Sequence, residues 1–382
     1  MHSAMVLTGE SMGSLAITRS LGRKDIAVYV GSSRKPSKTH FSRYCSKSFY
    51  YPHQTTSGLE EMHDQILKNV KKFEPRVLFS MGVVSSYILF KHAKEYEKYT
   101  TLVPNVGFRK FRYFNDKEMQ LKGAKKVGFR IPTTYVAHSQ AQAKEIAAKI
   151  KYPALIKPRV SAGGIGIIKV NNPNQLIEQH GQTTHRKKLF CFDCTNPLIQ
   201  EFIQGDIYGI YGIFDKGNEI ASIVFKTYRY HSEFGFPMVQ ETVCDEKIRG
   251  LVVGMLRKLK WHGPFSIQCV LDKSDNILKL LDFNPRMFTH MQSVIAAGID
   301  LPYLAYQMAI GKKVEKIEEY PCNQKFRYML YGEISYFLHS NHKMRLAREY
   351  LDFKNTKTNI DLHDPMPDIV HLYDFIRHGQ TW

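Results

Sequence analysis

The stretch that most constrains this 382-residue chain is GPFSIQCVLDKSDNILKLLDFNPRMFTHM, from Gly263 to Met291. Two alternating apolar runs, Phe265 to Leu271 and Ile277 to Phe283, flank a polar turn from Asp272 to Asn276, which predicts a β-hairpin. Gln268 lies near the middle of the first run. Asp282 and Asn284 end the second at a spacing of two, which puts both on one face of a strand. If Gln268 shares that face, three oxygen donors converge, a set that suits magnesium, which accepts one or two carboxylates and completes its shell with water and phosphate. Arg286 follows Pro285 and supplies a planar donor matched to phosphate oxygens. The bland alternative is a plain surface hairpin.

The length exceeds one ordinary core and implies two or three packed domains. Lys and Arg outnumber Asp and Glu by 54 to 35, giving +19, a field that attracts phosphates, nucleotides or nucleic acid. The basic residues are dispersed, with short clusters at Lys125-Lys126 and Arg186-Lys187-Lys188, which argues against nucleic acid as the partner. Six cysteines, Cys45, Cys191, Cys194, Cys244, Cys269 and Cys322, are too sparse for a disulfide framework and fit a reducing cytoplasm. No charged-then-apolar leader opens the chain, and its most apolar window, Val77 to Phe90, is too short to span a bilayer, so a soluble protein is expected.

Along the chain, Ala4 to Leu7 reads as a strand, Thr8 to Gly13 as a turn, Ser14 to Leu21 as a helix and Ile26 to Val30 as a second strand, a unit that predicts a parallel sheet. Only Gly9 and Gly13 are present in the turn and no acid ends the second strand, so the dinucleotide fingerprint is not met. Leu59 to Phe73 and Val83 to Tyr96 carry helical periodicity around a short buried strand at Arg76 to Phe79. Asn115-Asp116-Lys117 opens another helix, with Lys117 at an end where the helix dipole disfavours a cation.

Tyr152 to Pro158 is a β-run carrying Lys157. Ser161, Gly163, Gly164 and Gly166 follow, then Ile167 to Val170: a strand, glycine-rich turn and strand whose bare N–H groups can close over phosphates. The Walker A pattern is absent. Cys191-Phe192-Asp193-Cys194 is weak evidence for zinc without a second pair of ligands. Lys226 and Arg229 end a strand before the aromatic loop Tyr230 to Pro237, which reads either as a substrate-facing lid or as a long ordinary connection. Beyond Tyr320 the chain reads as irregular, with turn signals at Asp364-Pro365-Met366-Pro367. Arg377-His378-Gly379-Gln380-Thr381 mimics a histidine-phosphatase opening without a domain behind it.

Gln268 followed fourteen positions later by Asp282-Phe283-Asn284-Pro285-Arg286 resembles the metal-binding hairpin of the ATP-grasp superfamily, above all its carbamoyl-phosphate-synthetase and D-aspartate-ligase-like branches. The family usually has Glu where this chain has Asp282, which leaves one metal ion or two open. LIQEFIQGD, Leu198 to Asp206, is similar to the family's adenine hinge. The resemblance implies an α/β and α+β architecture: an N-terminal Rossmann-like pre-ATP-grasp domain at 1–112, then a two-lobed ATP-grasp fold. That fold has a small lobe at 113–195 and a large lobe at 196–320, with an extension at 321–382. It implies ATP and Mg2+ as cofactors. Nucleotide would be held by Lys117, Lys157, Ser161, Gly163, Gly164, Gly166, Gln200, Glu201, Phe202, Ile203 and Asp206, with Asp206, or Glu201 in its place, taking the ribose hydroxyls. Metal would be held by Gln268, Asp282 and Asn284, and Arg286, Arg229 and Lys226 would be catalytic. The implied reaction activates a carboxylate as an acyl phosphate and joins it to an amine, amino acids being candidate substrates and a homodimer being left open. A protein that binds ATP with little turnover, and a nucleic-acid-binding protein, are the rival readings.

Overall fold

The computed structural model describes residues 2–184, 188–189, 192–193, 195–352 and 355–378. Cys191 and Cys194, Arg186 and Lys187, and the end of the phosphatase-like stretch from Gly379 on lie outside the described residues. Residues 3 to 102 build a five-stranded parallel sheet in the spatial order Cys45–Tyr50, Ala27–Ser32, Ser3–Val6, Val77–Phe79, Thr101–Leu102. The central strand is wholly buried, as expected of a parallel sheet covered on both faces. The first helix, Met12–Gly22, begins at Ser11, whose hydroxyl accepts from the Gly13 N–H.

The second sheet is antiparallel, in the order Thr134–Val136, Leu198–Glu201, Ala154–Lys157, Ile168–Val170, and is backed by helices Gln140–Lys149 and Pro173–Thr184 through Ala143, Ile146 and Leu176. Leu198–Glu201 pairs on both sides within this sheet, so the boundary expected at residue 195 shifts: the strand belongs to the small lobe and the chain leaves it at Phe202 to Gln204. The segment before it shifts in the other direction. Phe114, Leu121, Ala124 and Phe129 pack into the core of the large lobe beside Trp261, Phe265 and Phe283, because the apolar stripe of helices Phe108–Asn115 and Lys117–Lys126 faces that way.

The third sheet has seven strands, in the order Leu278–Asn284, Gly263–Asp272, Gly205–Asp215, Asn218–Tyr230, Pro237–Thr242, Lys325–Arg327, Thr356–Thr358. Its faces divide by the period of two: Tyr211, Ile213, Ile223 and Phe225 join the core shared with the parallel sheet, while Tyr208, Ile210, Phe214 and Val224 face the helix Glu246–Lys258. The last two strands correct the expectation of an irregular tail. Residues 325 to 358 complete the large sheet, helices Ile334–His339 and Lys343–Tyr350 lie between its last two strands, and helix Met366–His378 starts at the turn that the prolines signalled. Cys244 and Cys322 are joined by a disulfide with Cα atoms 5.5 Å apart, a single bridge where sparse cysteines had suggested a reducing setting. A cysteine count cannot show that residue 322 returns beside strand Pro237–Thr242, where Asn323 N donates to Thr242 O at 2.9 Å. No helix among the described residues is long and apolar enough to cross a membrane.

The C-terminal segment is tied to the first helix through one buried cation. Arg19, 2% exposed, donates to Asp364 Oδ2 at 2.9 Å and Asp368 Oδ2 at 3.1 Å, with Asp361 Oδ2 at 3.5 Å. Removing one partner of such a cluster leaves buried charge uncompensated, at a cost of about 3–5 kcal/mol. Arg19→Met is therefore expected to lower unfolding stability by roughly that amount in a denaturant titration and to speed proteolysis after residue 355. Unchanged stability with unchanged cleavage would show that the segment is held elsewhere.

Candidate functional site

A cleft of about 510 Å3 opens between the small and large lobes. Its metal-side wall is the predicted hairpin, and the register is the one the alternation requires: Gln268 lies opposite Asp282, and Ser266 opposite Asn284. A bulge between Gln268 and Cys269 adds one residue to the second strand at this point, a device that re-aims side chains beside sites. Gln268, Asp282, Asn284 and Arg286 all line the cleft.

Asp282 is the hub. Its Oδ1 accepts from Lys117 Nζ at 2.9 Å and Gln120 Nε2 at 3.3 Å, and its Oδ2 accepts from Asn284 Nδ2 at 3.0 Å. Burial works against its charge, but Lys117, by charge and hydrogen bond, prevails and holds the carboxyl below its ordinary range. Lys117 is placed by the helix that Asp116 caps, and its N–H donates to Arg159 O at 2.8 Å, which ties the helix start to the base of the glycine turn. Gln120 was missed by the sequence reading. It lies one turn beyond Lys117 on the same helix face, is 1% exposed, and also accepts from Phe283 N at 2.8 Å, fixing the hairpin against the helix. The signal was there in the spacing of three from Lys117.

Lys157 reaches the same hub from the small lobe. Its Nζ donates to Gln200 Oε1 at 2.6 Å, and Gln200 Nε2 in turn donates to Thr134 Oγ1 at 2.8 Å, so Gln200 positions the lysine from within the hinge strand. Burial, and next the charge of Lys117, bring Lys157 down to about 8. Arg286 is lowered to about 10 by burial, donates to Asn284 Oδ1 at 2.8 Å, and leaves its buried Nε without a partner among the described residues. Three buried cations thus gather round one carboxylate, and burying charge without a counterion is costly. An anion entering the cleft would complete the set.

The roof is the glycine turn. Gly163, Gly164 and Gly166 have φ of 60°, 77° and 80°, open to glycine and strained for other residues. Ser161, Gly163 and Gly164 line the cleft, whereas Gly166 shapes the turn against Pro158. The loop after Tyr230 closes over this turn: Glu233 pairs with Lys169 at 2.6 Å, a Cβ on Gly164 would strike the Phe234 carbonyl, and Glu233, Phe234 and Phe236 line the cleft. The lid alternative is the one this packing supports. At the hinge, Glu201, Phe202 and Ile203 line the cleft, Glu201 N donates to Thr133 O at 3.0 Å, and Glu201 Oε1 accepts from Thr133 N at 2.7 Å. The Glu201 side chain thus fastens the hinge. His290, not among the expected site residues, also lines the cleft; it stacks on Phe236 with centroids 4.5 Å apart, and burial brings it down to about 3, so it is neutral.

Three expected residues lie elsewhere. Asp206 and Lys226 pair with each other at 2.7 Å outside the cleft wall, because strand alternation turns Ile207 to the cleft and its neighbour Asp206 to the opposite face, where Lys226 stands across from Tyr208. Arg229 is spent on Glu333 at 2.6 Å and Glu349 at 2.7 Å, a consequence of the C-terminal strands joining the sheet beside it.

Similarity to known proteins agrees with this geometry. The family described as "Carbamoyl-phosphate synthase L chain, ATP binding domain" matches residues 116–206, and that described as "ATP-grasp in the biosynthetic pathway with Ter operon" matches 193–330. Together the two matches span residues 116–330, and over that stretch the chain is similar to ATP-grasp domains. The carbamoyl phosphate synthase large chain of Methanosarcina mazei is 21% identical over 232 residues, covering 58% of this chain and 21% of that one, so the chain spans about a fifth of that relative. Among solved structures, the biotin carboxylase domain of Hydrogenobacter thermophilus 2-oxoglutarate carboxylase, in complex with MgADP, ADP and bicarbonate, superposes with a TM-score of 0.67 at 16% identity over 84% of this chain and 73% of that one. The L-amino acid ligase of Bacillus licheniformis gives 0.64 at 16%, over 82% and 75%.

The Lys157 shift has a signed consequence. Below about 8 the lysine is charged and attracts phosphate, and above it that attraction fades. The unfolded lysine titrates near 10.4, so between about 8 and 10.4 the unfolded chain holds more protons and the Lys157 contribution to stability rises with pH. Nucleotide affinity by calorimetry is expected to fall between pH 7 and 9, with the fall flattened in Lys157→Met. Equal slopes in both proteins would place the titrating group elsewhere.

Proposed function

We propose that this chain is an ADP-forming ligase that uses ATP to activate a carboxylate as an acyl phosphate and joins it to an amine. The observation that carries the reading is the cluster of Lys117, Lys157 and Arg286 round Asp282, beneath a glycine turn and a closing loop. The donor set also fits magnesium: one carboxylate, Asp282, with the amide oxygens of Asn284 and Gln268 beside it, leaves the remaining positions to phosphate and water. Bound there, magnesium would neutralise charge on the transferring phosphoryl group.

In this reading, Glu201 and Ile203 present backbone groups to the purine edge, and the N–H groups of Gly163 and Gly164 cradle the phosphates. Lys157, Lys117 and Arg286 stabilise charge on the γ-phosphoryl oxygens as it passes from ADP to the carboxylate. Arg286 takes the role that Arg229 cannot, because it lines the cleft whereas Arg229 is paired with Glu333 and Glu349. The amine then attacks the acyl carbon and phosphate leaves, with the closed loop excluding water. Small carboxylates and amines, amino acids among them, are the substrates this reading takes, beside His290 and Phe288 of the cleft wall. A cytoplasmic location is proposed from the need for ATP alone, since the disulfide removes the support that cysteine usage gave.

A second reading, nucleotide binding with little turnover, draws on Asp282: shorter than the usual Glu, it has both oxygens engaged by Lys117, Gln120 and Asn284. Asp282 variants separate the two. Asp282→Asn is expected to lose magnesium-dependent ADP release by at least about 100-fold and Asp282→Glu to retain or raise it, since the site needs an anionic oxygen for the metal. Release of ADP by Asp282→Asn at the wild-type rate would remove the hairpin from the metal role, and no release by any form in the presence of paired amino acids would favour the binding reading. Arg286→Lys keeps the charge and loses the fork, so kcat is expected to fall by about 10- to 100-fold with the KM for ATP nearly constant. A loss confined to the KM for ATP would assign Arg286 to nucleotide binding instead.

A further inference from the structure

The N-terminal domain carries a second group of ligand-type side chains, none of which lines the cleft. Helix Gln54–Phe73 presents Glu60 and His63, three residues apart and so on one face, to the segment that joins helices Val83–Lys91 and Ala93–Tyr96. His92 in that segment and Glu95 on helix Ala93–Tyr96 answer it, again three apart. The pattern is Glu-x-x-His facing His-x-x-Glu. One ligand atom from each of His63, His92 and Glu95 lies within 4.8 Å of the others, and His92 Nε2 is 4.0 Å from Glu60 Oε2.

The contacts orient the rings. The Tyr96 hydroxyl lies 2.9 Å from His63 Nδ1 and 3.4 Å from the His63 carbonyl, which holds the imidazole with its other nitrogen, Nε2, facing Glu95 Oε2 at 3.4 Å. The imidazoles of His63 and His92 stack with centroids 3.9 Å apart, an arrangement that two imidazolium charges would oppose. His92 Nδ1 lies 3.1 Å from the other Glu95 oxygen, Oε1.

We infer that His63, His92 and Glu95, with Glu60 as a fourth ligand in reach, bind one divalent transition-metal ion, for which zinc fits the donors best. A tetrahedral zinc with bonds of about 2.0–2.1 Å sets its ligand atoms about 3.3–3.4 Å apart, which the His63–Glu95 separation meets. Two imidazoles and carboxylates form a set that zinc favours over magnesium or calcium. His63 is buried and pre-oriented by Tyr96, the outer-shell partner that a ligating histidine needs. Glu95, with 48% of its side chain exposed, is free to turn toward the ion and leaves the site an entry path. The ion would clamp the long helix to the segment that follows the fourth strand of the parallel sheet.

The test uses the full chain, stripped of metal, titrated with Zn2+ in competition with a chromophoric chelator and with Co2+ for its visible absorption. All forms are compared in an Asp282→Asn background, so that the cleft does not contribute. One equivalent of zinc is expected to bind, with a Co2+ spectrum of low coordination number, and His92→Gln and Glu95→Gln are each expected to weaken binding at least about tenfold. Both replaced side chains are partly exposed, and circular dichroism verifies the fold of each variant. Equal zinc affinity in the parent and both variants, or a Co2+ spectrum no different from the aqueous ion, would overturn the site. Hydrogen exchange supplies an independent reading: zinc should slow exchange in residues 59–70 and 88–96 of the parent, and no change there would count against the clamp.

Discussion

The charge imbalance around Asp282 is the constraint on which the site depends. Lys117 comes from a helix, Lys157 from the small lobe and Arg286 from the end of the metal hairpin, and each is buried near the other two. Like charges near a protein surface repel by a few kcal/mol at close range, about 4 kcal/mol at 4 Å for an effective dielectric of 20. One carboxylate cannot offset three cations, and burial, with the charge of Lys117 added at Lys157, lowers both Lys157 and Arg286. The protein tolerates this because the surrounding framework over-determines it: Gln200 holds Lys157, Gln120 holds Asp282 and the hairpin, and Asn284 holds Arg286. A polyanion is the natural complement, and strain held at the site becomes affinity for it.

The C-terminal segment decides what the rest of that cleft looks like. By adding strands Lys325–Arg327 and Thr356–Thr358 to the large sheet, it brings Glu333 and Glu349 against Arg229 and packs Phe326 and Tyr328 against Met12, with Phe236 of the closing loop beside them. Gly13 meets the backbone of Phe288 at the cleft wall, so the first helix of the parallel sheet also supports the site. The Arg19 cluster fastens the same segment to that helix. A rigid scaffold beneath the glycine turn and the loop after Tyr230 suits the ligase reading proposed above, whose chemistry must exclude water.

Much of the site was legible because its signals are local. The alternation of the hairpin placed Gln268, Asp282 and Asn284 together, the glycines marked the turn over the cleft, and the hairpin and hinge carried the resemblance to ATP-grasp domains. Gln120 could have been found from its helical spacing of three from Lys117, which drew notice as a cation at a helix start. The errors at Asp206 and Lys226 came from reading strand-end residues without their phase: a shift of one residue along a strand changes the face, and neither periodicity nor family likeness near Asp206 settled which face met the cleft.

What the sequence by itself determined is the set of short-range patterns: a parallel sheet at the start, a hairpin bearing three oxygen donors, a glycine turn carrying a lysine, and an extended hinge. Each follows from side-chain period and backbone freedom within a few residues. Only the tertiary structure decided the pairings across long separations. Arg229 meets Glu333 and Glu349 more than one hundred residues on, Arg19 meets Asp364, Cys244 meets Cys322, and His63 meets His92 and Glu95. Such contacts depend on how whole elements pack, and the chain order carries no local record of which charge will find which partner once the sheets have closed.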